Sequence, residues 1–330
     1  LITGVTGFIG SHLAEHLVAQ GHDVRGLARQ PEHVRWLAEQ GTDIVQGDLL
    51  DRASLKQAVS GCDAIVHAGA WTGGPGVSSR EAWATNVAAT RHLLQIARRQ
   101  DVQRFVYFSS VAVYGLNSSP IINETAPTPP VGQLYPDSKI AAETLVRDAQ
   151  DKTLSTTIIR PASTYGPRSS AWSIGPIQQI QRGQLVLLGS DQGLVNPGYI
   201  DNLVEGTVLA LQSPRADGET FNLCDGTVVT YRDFYLRYAA MLGQDHLPTL
   251  PAGLARLAVS APGQWLRRRL GRSVPGRWSY HFRFNPSQFS IEKARCLLGY
   301  RPQVDLAEGM RRTEAWLRQA GYLGDPPFPS

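Results

Sequence analysis

Tyr135 and Lys139 stand four apart in Tyr135-Pro-Asp-Ser-Lys139, the spacing that places two side chains on one face of a helix. Pro136 suits a first helical turn, where its missing N–H costs nothing. An unperturbed tyrosine titrates near pH 10 and is a poor base at neutral pH. A neighbouring ammonium favours the phenolate, and lowering the pKa by roughly three units needs about 4 kcal/mol of differential stabilisation. The expectation is a Tyr135 phenol lowered by Lys139 and able to exchange a proton with an alcohol or a ketone. Ser110, in Phe108-Ser-Ser-Val-Ala-Val-Tyr-Gly115, ends a strand, where its hydroxyl can orient a substrate oxygen; Ser109 is the competing choice. Only four lysines stand against 28 arginines, so a lysine in this pattern is less readily a chance event.

A second constellation opens the chain. Thr3-Gly4-Val5-Thr6-Gly7-Phe8-Ile9-Gly10 is a G-x-x-G-x-x-G turn between a strand and a helix. Glycine is needed there for a positive φ, for close approach of backbone to phosphates, and for tight helix–strand packing. The helix N-terminus then offers free N–H groups and partial positive charge to a pyrophosphate. A dinucleotide is expected on Gly4, Gly7, Phe8, Ile9 and Gly10. Where the second strand ends, a carboxylate would select NAD, but Ala28 is followed by Arg29. Arginine there suits a 2′-phosphate, so NADP is favoured over NAD. Asp48, closing the third strand, reads equally as an adenine contact or as a turn residue. A positive nicotinamide ring would further favour the Tyr135 phenolate as hydride moves.

The elements that must position these residues alternate short apolar runs with amphipathic stretches. Strands are expected ending at Thr3 and over 23–27, 43–46, 64–67, 104–109 and 156–160, with helices over 9–20 and 83–99. Such alternation predicts an α/β, Rossmann-type, doubly wound parallel sheet. The pattern changes near Pro161. Residues 1–165 are expected to form the dinucleotide-binding domain, with a return at about 196–225. Residues 166–195 and 226–330 are expected to form a smaller, interleaved substrate lobe. Trp71, Leu134, Tyr165 and Trp172 are candidate pocket walls by position, with ordinary packing at least as good an account of each.

Taken together, these residues carry a resemblance. The chain resembles the extended short-chain dehydrogenases/reductases, the NAD-dependent epimerase/dehydratase family. The matching motifs are Thr3–Gly10, Gly47-Asp48-Leu49, His67-Ala68-Gly69-Ala70, Asn86-Val87, Ser109–Gly115, Tyr135–Lys139, Arg160-Pro161, Tyr165-Gly166-Pro167-Arg168 and Leu298-Gly299-Tyr300-Arg301-Pro302. The resemblance implies Ser110, Tyr135 and Lys139 as catalytic triad, with Lys139 also on the nicotinamide ribose. It implies that Leu49 and Ala68, Gly69 and Ala70 line the cofactor, that Asn86 supports it, and that Pro161 to Ser163 lie near the nicotinamide. The family's dehydratases carry Asp-Glu after the catalytic hydroxyl, whereas Val111-Ala112 stands here. A dehydratase is therefore discounted. Asn196–Val204 and the region from Val274 to Tyr300 resemble the 3β-hydroxysteroid dehydrogenase-like branch, which implies hydride transfer on secondary alcohols or ketones of apolar, medium-sized small molecules. A sugar-nucleotide epimerase with retained NAD is the alternative. A homodimer is likewise implied.

Composition bounds the rest. At 330 residues with 42% hydrophobic positions, wholesale disorder is excluded. The +4 net charge gives little support to nucleic-acid binding. Three scattered cysteines offer neither a disulfide framework nor a zinc spacing. His12 and His16 lack the third ligand that zinc needs, so no metal is expected, and His67 reads as packed. No signal peptide or membrane span is visible, and a reducing, cytoplasmic location is expected. The first residue is Leu1, within a strand, so a few preceding residues are expected. The Arg-rich segment 254–283 mixes apolar anchors with positive charge. It reads as a solvated helix face, a peripheral membrane contact or a clamp for an anionic ligand.

Overall fold

A computed structural model describes residues 1–74, 76–189, 193–251 and 283–324. Seven parallel strands make the central sheet: β1 (Ile2–Thr3), β2 (Arg25–Ala28), β3 (Asp43–Gln46), β4 (Ala64–His67), β5 (Arg104–Phe108), β6 (Ser155–Pro161) and β7 (Thr220–Leu223). Their spatial order is β7-β6-β5-β4-β1-β2-β3. The expected alternation is realised, because helices cover both faces. Residues of opposite parity along the strands enter different cores. Val66, Val106 and Ile159 join one apolar cluster, and Ile65, Phe105, Tyr107 and Ile158 join the other. Burial on both faces is why β4 and β5 read as apolar runs.

Helix α1 (Phe8–Ala19) follows β1 and packs Leu13, Ala14 and Leu17 into the first cluster. It begins at Phe8, one residue before the expected start. Helix α2 (Arg52–Val59) is capped by Asp51, whose carboxylate accepts the N–H groups of Ala53 and Ser54, satisfying two orphan donors. The expected helix over 83–99 is a correction. It comprises a short helix, α3 (Ser79–Trp83), a π-helical turn (Ala84–Ala88), and helix α4 (Ala89–Arg99). A π turn holds one extra residue per turn, which apolar periodicity does not register. Helix α5 (Leu134–Asp148) covers the same face of the sheet and carries Tyr135 and Lys139.

Beyond β6 the chain forms a second region. The short strands Ser163–Tyr165 and Pro197–Tyr199 pair in parallel, and β7 then returns to the central sheet beside β6. Tyr165, Tyr199, Phe234 and Tyr238 form an aromatic cluster continuous with the first core. Tyr165 is fully buried there, and Trp172 packs edge-on to Phe234. Both belong to that packing, so Tyr165 is not a pocket wall. Nearly all of the Arg-rich segment lies outside the described residues. Its last member, Arg283, donates to the Val186 carbonyl at 3.2 Å.

Candidate active site

The glycine turn is built at the carboxyl edge of β1. Gly4 has φ +73°, and its N–H and Cα lie against the loop after β4. A Cβ on Gly4 would come within 2.6 Å of the Gly69 nitrogen. A Cβ on Gly10 would come within 2.3 Å of the Gly4 carbonyl oxygen. Gly7 is the N-cap of α1, and no side chain caps that end. The first turn also carries no acidic residue. Phe8 and Ile9 are half-buried at this same end. A backbone cradle closed to side chains, with uncapped donors and the positive end of a helix, fits a pyrophosphate.

The residues around the cradle follow from the sheet. Ala68, Gly69 and Ala70 extend β4, and the Gly69 N–H donates to the Thr3 hydroxyl at 3.2 Å. Leu49 packs so closely that a Cβ on Gly69 would meet its Cδ1 at 2.9 Å. Asp48 accepts the Leu50 N–H at 2.8 Å, so it closes a local turn with that oxygen. Arg29 is exposed just past β2. Asn86, in the π turn, accepts the Trp71 N–H at 2.7 Å and donates to the Trp71 carbonyl at 2.9 Å and the Ser138 hydroxyl at 2.8 Å. Pro161 ends β6, and Ser163 starts the next short strand.

Ser110 and Lys139 lie at the carboxyl end of β5, and Tyr135 stands one turn before Lys139 on α5. Ser110 caps a 3₁₀ turn through the Ala112 N–H at 3.1 Å, and its side chain faces the Tyr135 phenol. Ser109 is buried beside Glu143, so Ser110 is the hydroxyl that reaches the tyrosine. Lys139 is 3% exposed. It donates to the Phe108 carbonyl at 2.6 Å and lies 4.8 Å from the Tyr107 ring centroid. Burial pulls its pKa down to about 7, opposed by the Glu143 carboxylate. Burial also pushes the Tyr135 phenol up, and the Ser110 hydroxyl partly reverses this. That corrects the expected lowering. A lysine whose ammonium is held by a carbonyl does not outweigh the desolvation of the phenol.

One component escaped the sequence reading. Glu143, fully buried one turn after Lys139, accepts two bonds from Arg160 of β6, at 2.8 and 2.6 Å. Arg160 also donates to the Tyr114 hydroxyl at 2.9 Å, and that hydroxyl donates to Asn222 of β7. The Glu143 carboxyl is held below its usual range by Arg160 despite burial. The Tyr-x-x-x-Lys spacing, continued by four residues, reaches Glu143 and was the available signal.

The signature of the NAD dependent epimerase/dehydratase family matches residues 1–224. The chain belongs to that family. Proteins similar to it include the 2-alkyl-3-oxoalkanoate reductase of Stenotrophomonas maltophilia, 30% identical over 96% of this chain and 98% of the relative. The 3 beta-hydroxysteroid dehydrogenase/Delta 5-->4-isomerase of Mycobacterium tuberculosis is also 30% identical, over 92% of this chain and 85% of its own length. In structure, the chain is similar to the UDP-glucuronic acid 4-epimerase of Bacillus cereus, with a TM-score of 0.78 at 22% identity, covering 97% and 98% of the two chains. The family and these relatives establish an NAD-dependent oxidoreductase or epimerase enzyme. Among the described residues, no helix is long and apolar enough to cross a membrane. No group of three or more potential metal ligands occurs among them either.

Proposed function

We propose that the chain is an NAD(P)-dependent oxidoreductase acting on a secondary alcohol or ketone of a medium-sized, apolar substrate. The observation that supports this reading is that Ser110 and Lys139 lie at the carboxyl end of β5, on the sheet edge that also carries the glycine turn after β1, with Tyr135 one turn before Lys139 on α5. A bound nicotinamide supplies or accepts the hydride. Ser110 orients the substrate oxygen, and Tyr135 exchanges the proton with it. The protonated Tyr135 phenol donates to a ketone oxygen, and the phenolate takes the proton of an alcohol. Lys139 holds the nicotinamide ribose and sets the local charge.

Gly4, Gly7, Phe8, Ile9 and Gly10 hold the pyrophosphate, while Leu49, Ala68, Gly69 and Ala70 line the cofactor. Asn86 supports this wall, and Pro161 and Ser163 border the nicotinamide. Arg29 favours NADP, with its exposed guanidinium free to meet a 2′-phosphate. Residues 1–165 with the return at 196–225 serve the dinucleotide, and 166–195 with 226–330 shape the substrate pocket. The similarity to the 2-alkyl-3-oxoalkanoate reductase along both full lengths supports a 3-oxo substrate with alkyl chains.

The test has two stages. Protein purified without added cofactor is denatured, and any released nucleotide is identified by mass spectrometry. An empty site that then binds NADPH more tightly than NADH is expected, followed by NADPH consumption with a 2-alkyl-3-oxo acid. Near-stoichiometric NAD would instead support the sugar-nucleotide epimerase. Tyr135→Phe is expected to lower turnover by about 10²–10⁴ while cofactor affinity stays nearly unchanged. Surviving activity would overturn the assigned role of Tyr135.

A further inference from the structure

We infer that His67 is a positioning residue, the central link of a one-way hydrogen-bond relay joining Gly69, at the cofactor side, to the carbonyl of Tyr135. Its effect on turnover rests on the reading of Tyr135 given above; its direction rests on the hydrogen bonds alone.

Each link but the last is a contact between buried groups, and the last is partly buried. The Gly69 N–H donates to Thr3 Oγ1 at 3.2 Å, and Thr3 Oγ1 lies 2.7 Å from His67 Nδ1. His67 Nε2 lies 3.0 Å from Thr90 Oγ1, and that hydroxyl donates to the Asn86 carbonyl at 2.7 Å. Asn86 Nδ2 donates to Ser138 Oγ at 2.8 Å, and Ser138 donates to the Tyr135 carbonyl at 2.8 Å.

The direction is forced by donor counting. A hydroxyl has one hydrogen. Thr90 gives its hydrogen to a carbonyl, which can only accept, so Thr90 must accept from His67. The proton is therefore on Nε2. His67 is 1% exposed between the rings of Phe105 and Tyr107, and burial with Lys139 nearby keeps it neutral, its pKa pulled down to about 3. A neutral Nε2–H imidazole has a bare Nδ1, which accepts the Thr3 hydrogen. Thr3 can then accept the Gly69 N–H. Ser138 follows the same logic, giving its single hydrogen to Tyr135 and accepting from Asn86.

Every donor in the chain thus points from one neighbour to the next in a consistent pattern, pivoting on one tautomer. The relay crosses four elements: β1, β4, the π turn with α4, and α5. The π turn has a positional role here, because it presents the Asn86 side chain to α5 while the Asn86 carbonyl still meets Thr90 one turn on. The relay holds the first turn of α5, and with it the Tyr135 ring, in register with the wall that faces the cofactor.

Two measurements test this. In ¹⁵N-histidine NMR, the imidazole assigned to His67 by cross-peaks to the Phe105 and Tyr107 rings is expected to show a protonated Nε2 and a bare Nδ1, unchanged from pH 8 to pH 5. The Nδ1–H tautomer, or titration in that range, would overturn the relay whatever the enzyme's activity. Thr90→Val keeps the shape and removes the hydroxyl. It is expected to lower kcat by about tenfold to a hundredfold with the KM for dinucleotide within about twofold, and Thr90→Ser is expected to restore kcat. If Thr90→Val lowers the melting temperature but leaves kcat intact, His67 only packs and the positioning role is wrong. If the wild-type chain consumes no NADPH with any ketone while the tautomer is as expected, the proposed function fails and the relay stands.

Discussion

Glu143→Gln removes one charge from the floor of the site and keeps the shape that carries it. Arg160 and Glu143 are 2% and 0% exposed and share two hydrogen bonds, so neither charge is relieved by water. The substituted amide would offer one carbonyl oxygen to a buried guanidinium whose remaining acceptor is the Tyr114 hydroxyl. Removing one partner of a buried ion pair costs about 3–5 kcal/mol, because the other charge is left uncompensated. Arg147 touches the same carboxylate, but its side chain is 42% exposed. Solvent screens that contact, so Arg147→Ala is expected to cost less than about 1 kcal/mol. Urea unfolding, read as a shift of midpoint at constant slope, measures both. The Glu143 carboxyl is depressed in the fold. Its contribution is therefore present above the ordinary carboxylate pKa and lost as pH falls through the folded value, so the two proteins should converge in stability in acid. Activity gives an independent readout. Glu143 opposes the burial that brings Lys139 to about 7, so without it the lysine deprotonates at lower pH. The limb of the kcat–pH profile that requires the ammonium moves down accordingly. Equal losses for Glu143→Gln and Arg147→Ala, or a loss below about 1 kcal/mol for Glu143→Gln, would mean that water reaches this pair and the desolvation reasoning is wrong.

Three further outcomes are expected. Gly10→Ala drives a methyl to 2.3 Å from the Gly4 carbonyl oxygen; overpacking against backbone should cost about 1–3 kcal/mol, and calorimetry should find dinucleotide binding lost. Arg29→Ser should weaken NADPH by about tenfold, the loss of one charge-assisted contact, and leave NADH unchanged; equal weakening of both would place Arg29 away from the 2′-phosphate. Burial pushes the Asp225 carboxyl from 3.8 up to about 6, so the fold holds that proton more tightly than the open chain does. This contribution, about 3 kcal/mol, is full below about pH 4 and lost as pH rises through about 6. Asp225→Asn should flatten that part of the pH–stability curve in urea titrations.

What the sequence revealed and what it hid divide along a physical line. Strands β3 and β4 lie where their short apolar pairs, Ile44-Val45 and Ile65-Val66, place them, at Asp43–Gln46 and Ala64–His67. The glycine turn and the Tyr135–Lys139 pair are local patterns and were legible for that reason. The Glu143–Arg160 pair joins residues on α5 and β6 that meet only through the fold. Tyr165 was read from its place after β6, but its ring turns into the aromatic cluster with Tyr199 and Phe234. The π turn at 84–88 shows the same limit, because an extra residue in a helix leaves the apolar pattern almost intact while changing where Asn86 points.

Strand β7 lies about sixty residues downstream of β6, its one neighbour in the sheet among the described residues. During synthesis, at about 5–20 residues per second, β6 therefore waits roughly 3–12 seconds before its partner leaves the ribosome. Throughout that interval the nascent chain presents a seven-residue strand with an unpaired edge, a template for pairing with other chains. A chaperone that shields strand edges should raise the yield of this protein more than one that acts after release. A fragment ending at residue 165 should aggregate, although it contains every residue of the Ser110, Tyr135 and Lys139 cluster.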